Sequence, residues 1–539
     1  MSPYDATVST AAVDAAHPGD ITGAFGSIAA NDHGRRASWR AKLWTLLAIL
    51  GPGLIVMVGD NDAGAFGTYT QAAQNYGLGL MWTLPLLVPV LYVNQEMVLR
   101  LGAVTGVGHA RLIFARFGRF WGAFSVIDLF LLNALTIVTE FIGVALGLSY
   151  LGLPKAWGVA AAAAATVLAA GAGSFRRFER FMMALVVGSL ALVPIVFMIH
   201  PPLGEMARAI VTPQAPAGKL SDVILMIVAV VGTTIAPWQL FFQQSYVIDK
   251  RITPRFIPYE KIDLVVGIAF VLVGAVAMMA FTAAAFAGTP QFGQFTDAAA
   301  VAQGLEHRAG KLAGVLFAVA LIDASIIGAG AVSLSTAYAI GDVFKLKHSL
   351  HHKPIEAIGF YLVYGGLIAL AAALVLIPGT PLGLLTSAVQ ALAGVLLPSA
   401  TVFLLLLCND RSVLGPWVNG RWLNLFTGAV IAALVMLSVI LTASVLFPNL
   451  DGRVTVGVLA TGAAATLVAW GVSTIDPRAS PRIVRTGRLF WRMPPLSQLP
   501  PPRLTRLEKA WMIVLRGYLI VAGGLVIVRI AELALQGRV

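Results

Sequence analysis

Acidic and amide side chains interrupt an otherwise apolar run at Gly59-Asp60-Asn61-Asp62-Ala63-Gly64. Hydroxyl, proline and amide residues interrupt a second apolar run at Thr233-Thr234-Ile235-Ala236-Pro237-Trp238-Gln239. A carboxylate near the centre of a membrane-spanning helix costs roughly 2.5 to 3.5 kcal/mol on insertion scales, so such residues usually mark a functional site. Because both acids are anionic when charged, we expect the first interruption to face a cation.

Both interruptions also affect the backbone. Gly59 and Gly64 flank the acids and let the chain leave helical geometry, while Pro237 removes a donor and frees carbonyl groups near Thr233. A backbone break at membrane depth is tolerated only where it is buried in protein or lines a cavity. One broken span in each half of an inverted repeat is the usual sequence pointer to a midplane transport site.

Simpler interpretations of these residues stay open at this point. The first interruption is also compatible with a loop between two short helices, and Pro237 with a plain kink of a membrane helix. Asp60 or Asn61 could hold the turn through a local hydrogen bond instead of touching an ion. The correspondence between the two interruptions favours the transport site.

The composition is that of a polytopic all-α membrane protein. Of 539 residues, 58% are hydrophobic and 12% charged, and the mean hydropathy is +0.84. The net charge of +12 comes from basic residues in short loops, which indicates membrane orientation and not nucleic-acid binding. Cys408 is the only cysteine, so a disulfide or thiolate cluster within the chain is excluded.

Twelve apolar runs are long enough to cross a bilayer. They lie near residues 45–75, 79–101, 123–150, 156–173, 180–199, 221–247, 262–288, 312–342, 356–377, 383–408, 422–447 and 454–474. A thirteenth candidate, 511–535, contains Arg516 and Arg529 and is expected to cross, with a position in the interface as the alternative.

Lysine and arginine concentrate in every second loop, with Arg308 and Lys311 as the main exception. By the positive-inside rule, this pattern predicts a multi-pass protein of the cell membrane with a cytoplasmic amino terminus. We expect residues 1–43 to form a disordered cytoplasmic tail. Residues 476–509 are expected to form a basic, Pro-rich cytoplasmic linker, followed by a carboxy-terminal helix at 510–539.

Other polar residues lie in or beside the apolar runs. Glu140 and Gln390 are expected along the transport path, whereas Glu96, Asp128 and Asp323 are equally compatible with structural pairing. His348, His351 and His352 are expected in a solvated basic loop, although metal sensing is an alternative. The sequence lacks a phosphate-binding loop, a nucleophile elbow and a His-Glu-x-x-His pattern, so an enzyme is not expected.

In its motifs, the chain resembles the Nramp family of divalent-metal transporters from about residue 45 to 475. The matching elements are Gly51-Pro52-Gly53, Asp62-Ala63-Gly64-Ala65 with Gln71, Gln95 with Arg100-Leu101-Gly102 and Val104-Thr105-Gly106, Thr234 to Leu240, and Gln390 with Leu397-Pro398 and Asp410-Arg411. The resemblance implies a LeuT-like fold with two inverted five-helix repeats, at 44–208 and 209–410. Additional spans would follow at 411–475.

The chain departs from the family pattern at informative positions. The family's metal-binding Met is Ala236 here, its first-helix Asn is Ala65, and its two sixth-helix His positions are Trp238 and Gln243. A third-helix acid is replaced by Gly143, and the ninth span lacks the family's Arg. This pattern is similar to that of the Nramp-related magnesium transporters, and the lost His and Arg positions argue against proton coupling.

The expectation is a uniporter that moves Mg²⁺, and Mn²⁺ as well, by alternating access, with no cofactor beyond this substrate. Asp62 would be the principal ligand, and the remaining positions are a set around the metal (Thr233, Ala236, Gln390 and Asp60) and a set along the pathway (Glu140, Trp238, Gln239 and Ala65). Alternatives are a proton-coupled Mn²⁺/Fe²⁺ importer, a LeuT-fold carrier of organic solutes, and a membrane sensor. Oligomeric state stays open.

Overall fold

The computed structural model describes residues 14, 16–214, 216, 218–378, 382–446 and 487–502, together with a few isolated positions beyond 456. Within this part of the chain the architecture is helical, with one two-stranded hairpin of β1 (Ile21–Thr22) and β2 (Ser27–Ile28). Short 3-10 segments lie at Ser189–Ala191, Pro254–Phe256, Gly415–Trp417, Arg488–Phe490 and Leu496–Gln498.

The helices divide into a first and a second set along the chain. The first set is α1 (Trp39–Ile49), α2 (Pro52–Val58), α3 (Ala63–Tyr76), α4 (Thr83–Thr105), α5 (His109–Phe117), α6 (Arg119–Tyr150), α7 (Lys155–Gly171), α8 (Phe175–Gly188), α9 (Leu192–Ile199) and α10 (Leu203–Val211). The second set is α11 (Leu220–Thr234), α12 (Pro237–Asp249), α13 (Ile257–Phe286), α14 (Ala298–Ala309), α15 (Lys311–Phe344), α16 (Ile358–Val375), α17 (Leu382–Asn409), α18 (Arg411–Leu414) and α19 (Arg421–Leu446).

Each set opens with an interrupted span. Gly51 adopts a φ of 151° before α2, which begins at Pro52, and α1 and α2 meet at an angle of 52°. The span breaks again before α3, where Asp62 is the N-cap. In the second set α11 ends at Thr234, Ala236 is extended, and α12 restarts at Pro237. Proline fits the first turn of a helix, so Pro237 starts a new segment instead of kinking a continuous one.

The predicted runs from the first through the eleventh coincide with helices. In the described residues, eight helical spans are long and apolar enough to cross a membrane, two of them made of the consecutive pairs α8–α9 and α11–α12. The bent α1–α2 pair would make nine, and α7 and α19 are shorter apolar helices. The predicted twelfth and thirteenth spans lie outside the described residues. The predicted boundary between repeats at 208 and 209 falls inside α10, an amphipathic helix that joins the two sets.

The amino-terminal region corrects the expectation of a disordered tail over residues 1–43. From residue 16 onward it is folded, with Ile21 and Ile28 only 3% and 6% exposed, and α1 begins at Trp39. Composition missed this order because long-range hydrogen bonds hold the segment; residues 1–13 lie outside the described residues.

The described part of the Pro-rich linker is also packed onto the protein. Arg492 donates to the Ala103 carbonyl at 2.6 Å, the Met493 amide donates to the Val104 carbonyl, and Trp417 donates to the Arg488 carbonyl.

Around the two breaks, α2 packs mainly on α13, α12 on α4 and α15, α11 on α17, and α6 on α15. These helices surround the interruptions, so the polar residues of the breaks are buried in the interior. The face that carries the hairpin, the start of α13 and the end of α15 is called the amino-terminal face below.

Candidate cation site

The two interrupted spans meet in the interior. Gln239, in the first turn of α12, donates a hydrogen bond through Nε2 to Oδ1 of Asp60 in the first break. On α3, the Tyr69 hydroxyl lies 2.7 Å from Oγ1 of Thr234, the last residue of α11. These two contacts bring the predicted acid-bearing and carbonyl-bearing breaks together at one site.

Asp62 caps α3 and faces a second acid. Its Oδ1 accepts a hydrogen bond from the Ala65 amide at 2.9 Å, and its carboxyl lies beside that of Glu140 on α6, whose Oε2 accepts from the neighbouring Ala63 amide at 3.2 Å. Both residues are buried, and Oε1 of Glu140 has no hydrogen-bond partner. Two carboxylates this close repel each other, so a cation between them is favourable.

Asp60 and Asn61 have different roles. One oxygen of Asp60 accepts from Gln239, and the other, Oδ2, is buried without a partner. Asn61 turns away from the site and donates to the Val271 carbonyl on α13 at 3.1 Å. Of the three polar residues, Asn61 therefore ties the turn to its neighbour, while Asp60 and Asp62 present carboxyls to the interior.

The remaining predicted ligands line the same region. Gln390 of α17 lies against Gly64: a Cβ added there would be 1.7 Å from its Nε2, so a glycine is needed for this approach. Thr233 is buried with a hydroxyl that lacks a partner. Ala65 and Ala236 are buried and contribute only a methyl group each.

Trp238 and Gln239 form one wall of the site. The indole of Trp238 lies beside Gly59, where an added Cβ would be 3.6 Å from a ring carbon. Gln239 also accepts from Nε2 of Gln95, on α4, at 3.0 Å. The sequence indicated Gln95 only as part of a family motif and did not predict its place beside the site. A polar amide within an apolar span was the feature that could have indicated it.

The other acids in or beside the membrane spans contact residues outside the cation site. Glu96 pairs with Arg100 at 3.1 Å and with Lys261 at 2.8 Å, which is structural pairing. Asp128 is half-buried and accepts from the Ser399 hydroxyl at 3.4 Å. Asp323 lies beside Gly188 and keeps one buried oxygen without a partner.

The histidine segment corrects another expectation, that of a solvated loop. His348 is 2% exposed, and its Nε2 lies 3.3 Å from Asp342. His352 contacts Asp14 at 3.1 Å, and His351 contacts the Asp249 carbonyl. The loop is packed because two acids distant in sequence bind it, Asp14 of the amino-terminal segment and Asp249 of α12, which the local basic sequence did not reveal.

The donor chemistry of the site is oxygen-rich. Carboxyl, amide and hydroxyl groups converge at the breaks, and neither break contains histidine, cysteine or methionine. Across the described residues, no group of three or more His, Cys, Asp or Glu side chains is placed to hold a metal. A cation here would be held by one or two carboxylates with amide, carbonyl or water oxygens, which is the ligand set of a hard cation.

A narrow space lies between the site and the face opposite the amino-terminal face. Its lining includes Ala63 and Gly143 beside the carboxyl pair, and Thr386 and Asp297 farther out. Asp297 caps α14, which connects the far end of α13 to the start of α15. This narrow space therefore lies on the side of the carboxyl pair that faces away from the amino-terminal face.

Comparisons with known proteins agree on one family. Residues 53–444 match the family described as Natural resistance-associated macrophage protein-like, Nramp. Two relatives, each named Divalent metal cation transporter MntH, are similar over most of the chain. The one from Pectobacterium carotovorum subsp. carotovorum (strain PC1) is 27% identical over 412 residues, covering 73% of this chain and 94% of the relative. The one from Ralstonia nicotianae is 28% identical over 403 residues, covering 70% and 87%.

A solved structure gives the same fold. The Eremococcus coleocola manganese transporter, in complex with an aromatic bis-isothiourea substituted compound, superposes with a TM-score of 0.62 at 18% identity. The superposition covers 81% of this chain and 94% of that one. The predicted LeuT-like, polytopic fold is thereby confirmed.

Proposed function

The chain belongs to the Nramp family and is a multi-pass transporter of divalent metal cations, and we propose that its cargo is Mg²⁺, and Mn²⁺ as well, moved without an accompanying proton. It is not an enzyme, and the metal is its substrate and not a cofactor. The organic-solute and sensor alternatives do not fit this family.

The proposal is carried by the composition of the site. The Asp62 and Glu140 carboxyls lie side by side, and in the facing break Ala236 contributes only a methyl group. A thioether is a soft ligand that selects transition metals, and Ala236 supplies none. Mg²⁺ dehydrates reluctantly and is usually held by one or two carboxylates with several waters retained. The small side chains of Ala236 and Ala65 leave volume for such waters once the site opens.

Each site residue has a proposed role. Asp62 is the principal ligand and Asp60 the second carboxylate, while the Thr233 carbonyl and the Gln390 amide act through retained water. Trp238 and Gln239 shape the wall. Glu140 draws the cation to Asp62, and its partnerless Oε1 supports this role because a buried acceptor without a donor suits a positive charge.

A proton-coupled Mn²⁺ importer is the second candidate. The relatives are named for manganese or for divalent metals, and the Asp62–Glu140 contact could carry a proton that metal binding releases. Against it, Trp238 and Gln243 occupy the positions where the family resemblance places histidines, and neither side chain titrates near neutral pH.

We further propose that the amino-terminal face is cytoplasmic, since the basic loops gather there, and that transport runs inward across the cell membrane. The space lined by Asp297 then lies on the side from which the cation enters.

The cargo is tested by uptake into proteoliposomes with an entrapped Mg²⁺ indicator. We expect Mg²⁺ uptake that is competed by Mn²⁺ and absent in Asp62→Ala. Uptake of Mn²⁺ alone, with Mg²⁺ neither transported nor competing, would favour the second candidate.

A further inference from the structure

A stripe of polar residues runs along α12 from the cation site toward the amino-terminal face. Gln239, Gln243, Tyr246 and Lys250 follow one another at spacings of three or four residues and so share one side of the helix. Both amide atoms of Gln243 and the hydroxyl of Tyr246 are buried without a hydrogen-bond partner. Buried polar groups are normally paired, so this stripe fits a path that is wet in another state of the protein.

The stripe ends at a buried ammonium group. Nζ of Lys250 lies 2.7 Å from Glu179 on α8 and donates to the carbonyls of Ile49 and Leu50, at the end of α1, at 2.6 and 2.9 Å. Lys250 and Glu179 are both fully buried. One side chain thus joins the ends of α1, α8 and α12 directly below the stripe.

Acidic groups outnumber the ammonium in this region. Asp263 on α13 accepts hydrogen bonds from the Gly51 and Gly53 amides. Glu260, one turn earlier, is buried with both oxygens lacking a partner and lies within electrostatic range of Lys250, Glu179 and Asp263. A cation arriving here would meet three carboxyl groups once Lys250 moved away.

The amino-terminal strap, defined as residues 16–36, covers the Lys250–Glu179 pair. The Ala24 amide donates to Oε2 of Glu179 at 2.5 Å. From the side, Arg176 and Arg180 donate to the carbonyls of Gly23 and Ala24 at 3.1 and 3.0 Å. At Gly23 an added Cβ would lie 2.0 Å from the Ala48 carbonyl, so the hairpin presses directly on the end of α1.

We propose that the amino-terminal strap is the inner gate of the transport path, because it holds Lys250 against Glu179 below the polar stripe. In the closed state Lys250 occupies the lower end of the stripe and offsets the carboxyl groups that would otherwise attract a cation. Release of the strap frees Glu179, lets Lys250 withdraw, and opens the stripe to water at the amino-terminal face. This inference rests on the proposed transport function for what passes along the path, but not for the gate itself.

The test measures access to the stripe through a single engineered thiol. Cys408, the only cysteine, is buried and is replaced in a Cys408→Ala background that carries Gln243→Cys. The readout is the rate of modification by a membrane-impermeant, cationic thiosulfonate in proteoliposomes. Arg176→Ala combined with Arg180→Ala removes two charge-assisted hydrogen bonds to the strap, and Arg177→Ala, an exposed arginine on the same helix, is the matched control.

We expect the double variant to raise the modification rate roughly tenfold or more, as the loss of two hydrogen bonds from charged donors implies, and Arg177→Ala to leave it within about twofold. Gly23→Leu, which pushes the hairpin off α1, is expected to give the same acceleration. Unchanged rates in both the double variant and Gly23→Leu would overturn the gate. The assay needs neither Mg²⁺ nor flux, so its failure leaves the cargo proposal standing, and failed Mg²⁺ uptake leaves the gate standing.

Discussion

Glu140, on α6, reaches the break of the first span, where its carboxyl contacts that of Asp62 and its Oε2 accepts a hydrogen bond from the Ala63 amide at 3.2 Å. The contact joins residues separated by 78 positions and places two acids beside the free space that approaches Ala63.

Glu140→Gln keeps the shape of the side chain and removes its charge. We expect transport to fall roughly tenfold, since a charge-assisted interaction with the cation is lost. Asp62→Asn should reduce uptake to the level of protein-free liposomes. Asp128→Asn, on the same helix but against Ser399, is the control and should transport normally. Normal uptake by Glu140→Gln would remove Glu140 from the pathway.

Ala236→Met restores a thioether to the second break. We expect preference to shift toward Mn²⁺ or Cd²⁺ over Mg²⁺, because sulfur favours softer metals. Competition among these ions for uptake gives the measurement. Ala236→Leu adds similar volume without sulfur, so it should slow transport without this shift. Equal selectivity profiles for the two variants would show that volume, and not ligand softness, controls the site.

Gly64→Ala tests the approach of Gln390 to α3. The new Cβ would overlap Nε2 of Gln390, which must then swing away from the site. We expect a raised KM for Mg²⁺ close to that of Gln390→Ala, and no further increase in the double variant, because both changes remove the same amide. Additive effects would place Gln390 outside the cation site. Gly67→Ala, one turn along α3 and against Thr386, is the control.

The packing of the amino-terminal strap against His348 should depend on pH, because His348 contacts His17 and Asp14 at the start of this region. Burial alone would lower the pKa of His348, but the hydrogen bond and charge of Asp342, with the Leu346 carbonyl and Asp14, outweigh burial and raise it to about 9. Because the folded pKa lies above the ordinary value of 6.5, the stabilisation is complete below that value and is lost as pH rises through about 9.

The other titratable groups around His348 do not reverse this loss of stability at high pH. Hydrogen bonds from backbone amides and from His352 hold the pKa of Asp14 down at about 2 despite its burial, so Asp14 stays charged across the alkaline range. Burial lowers the pKa of His17, which also faces Asp249. We expect hydrogen exchange of residues 16–28, corrected for the intrinsic pH effect, to increase between pH 7 and about 10. His348→Gln should abolish this dependence; persistence of the increase in that variant would contradict the assignment.

The sequence was sufficient for the local features. Glycines, prolines and acids inside apolar runs predicted both breaks, because these residues disrupt helices wherever they occur. The apolar runs likewise predicted the helices from the first span through the eleventh. The joining of Asp60 to Gln239 and then to Gln95 could not be predicted, since it depends on how three helices pack.

The amino-terminal strap is the clearest case of a structure that the sequence did not predict. Its small and polar residues predicted a disordered tail, yet Arg176, Arg180 and Glu179 bind its backbone and not its side chains. Composition carries no record of such contacts. The basic histidine segment was misjudged for a similar reason, because Asp14 and Asp249, which bind it, come from distant parts of the chain.

The central claim, that a hard divalent cation crosses without a proton, is tested most directly by recording Mg²⁺ uptake and lumenal pH together in the same proteoliposomes. We predict Mg²⁺ uptake dependent on Asp62, with lumenal acidification no greater than in protein-free liposomes. Acidification that rises in proportion to metal uptake, and disappears in Glu140→Gln, would contradict the account and establish a proton-coupled transporter.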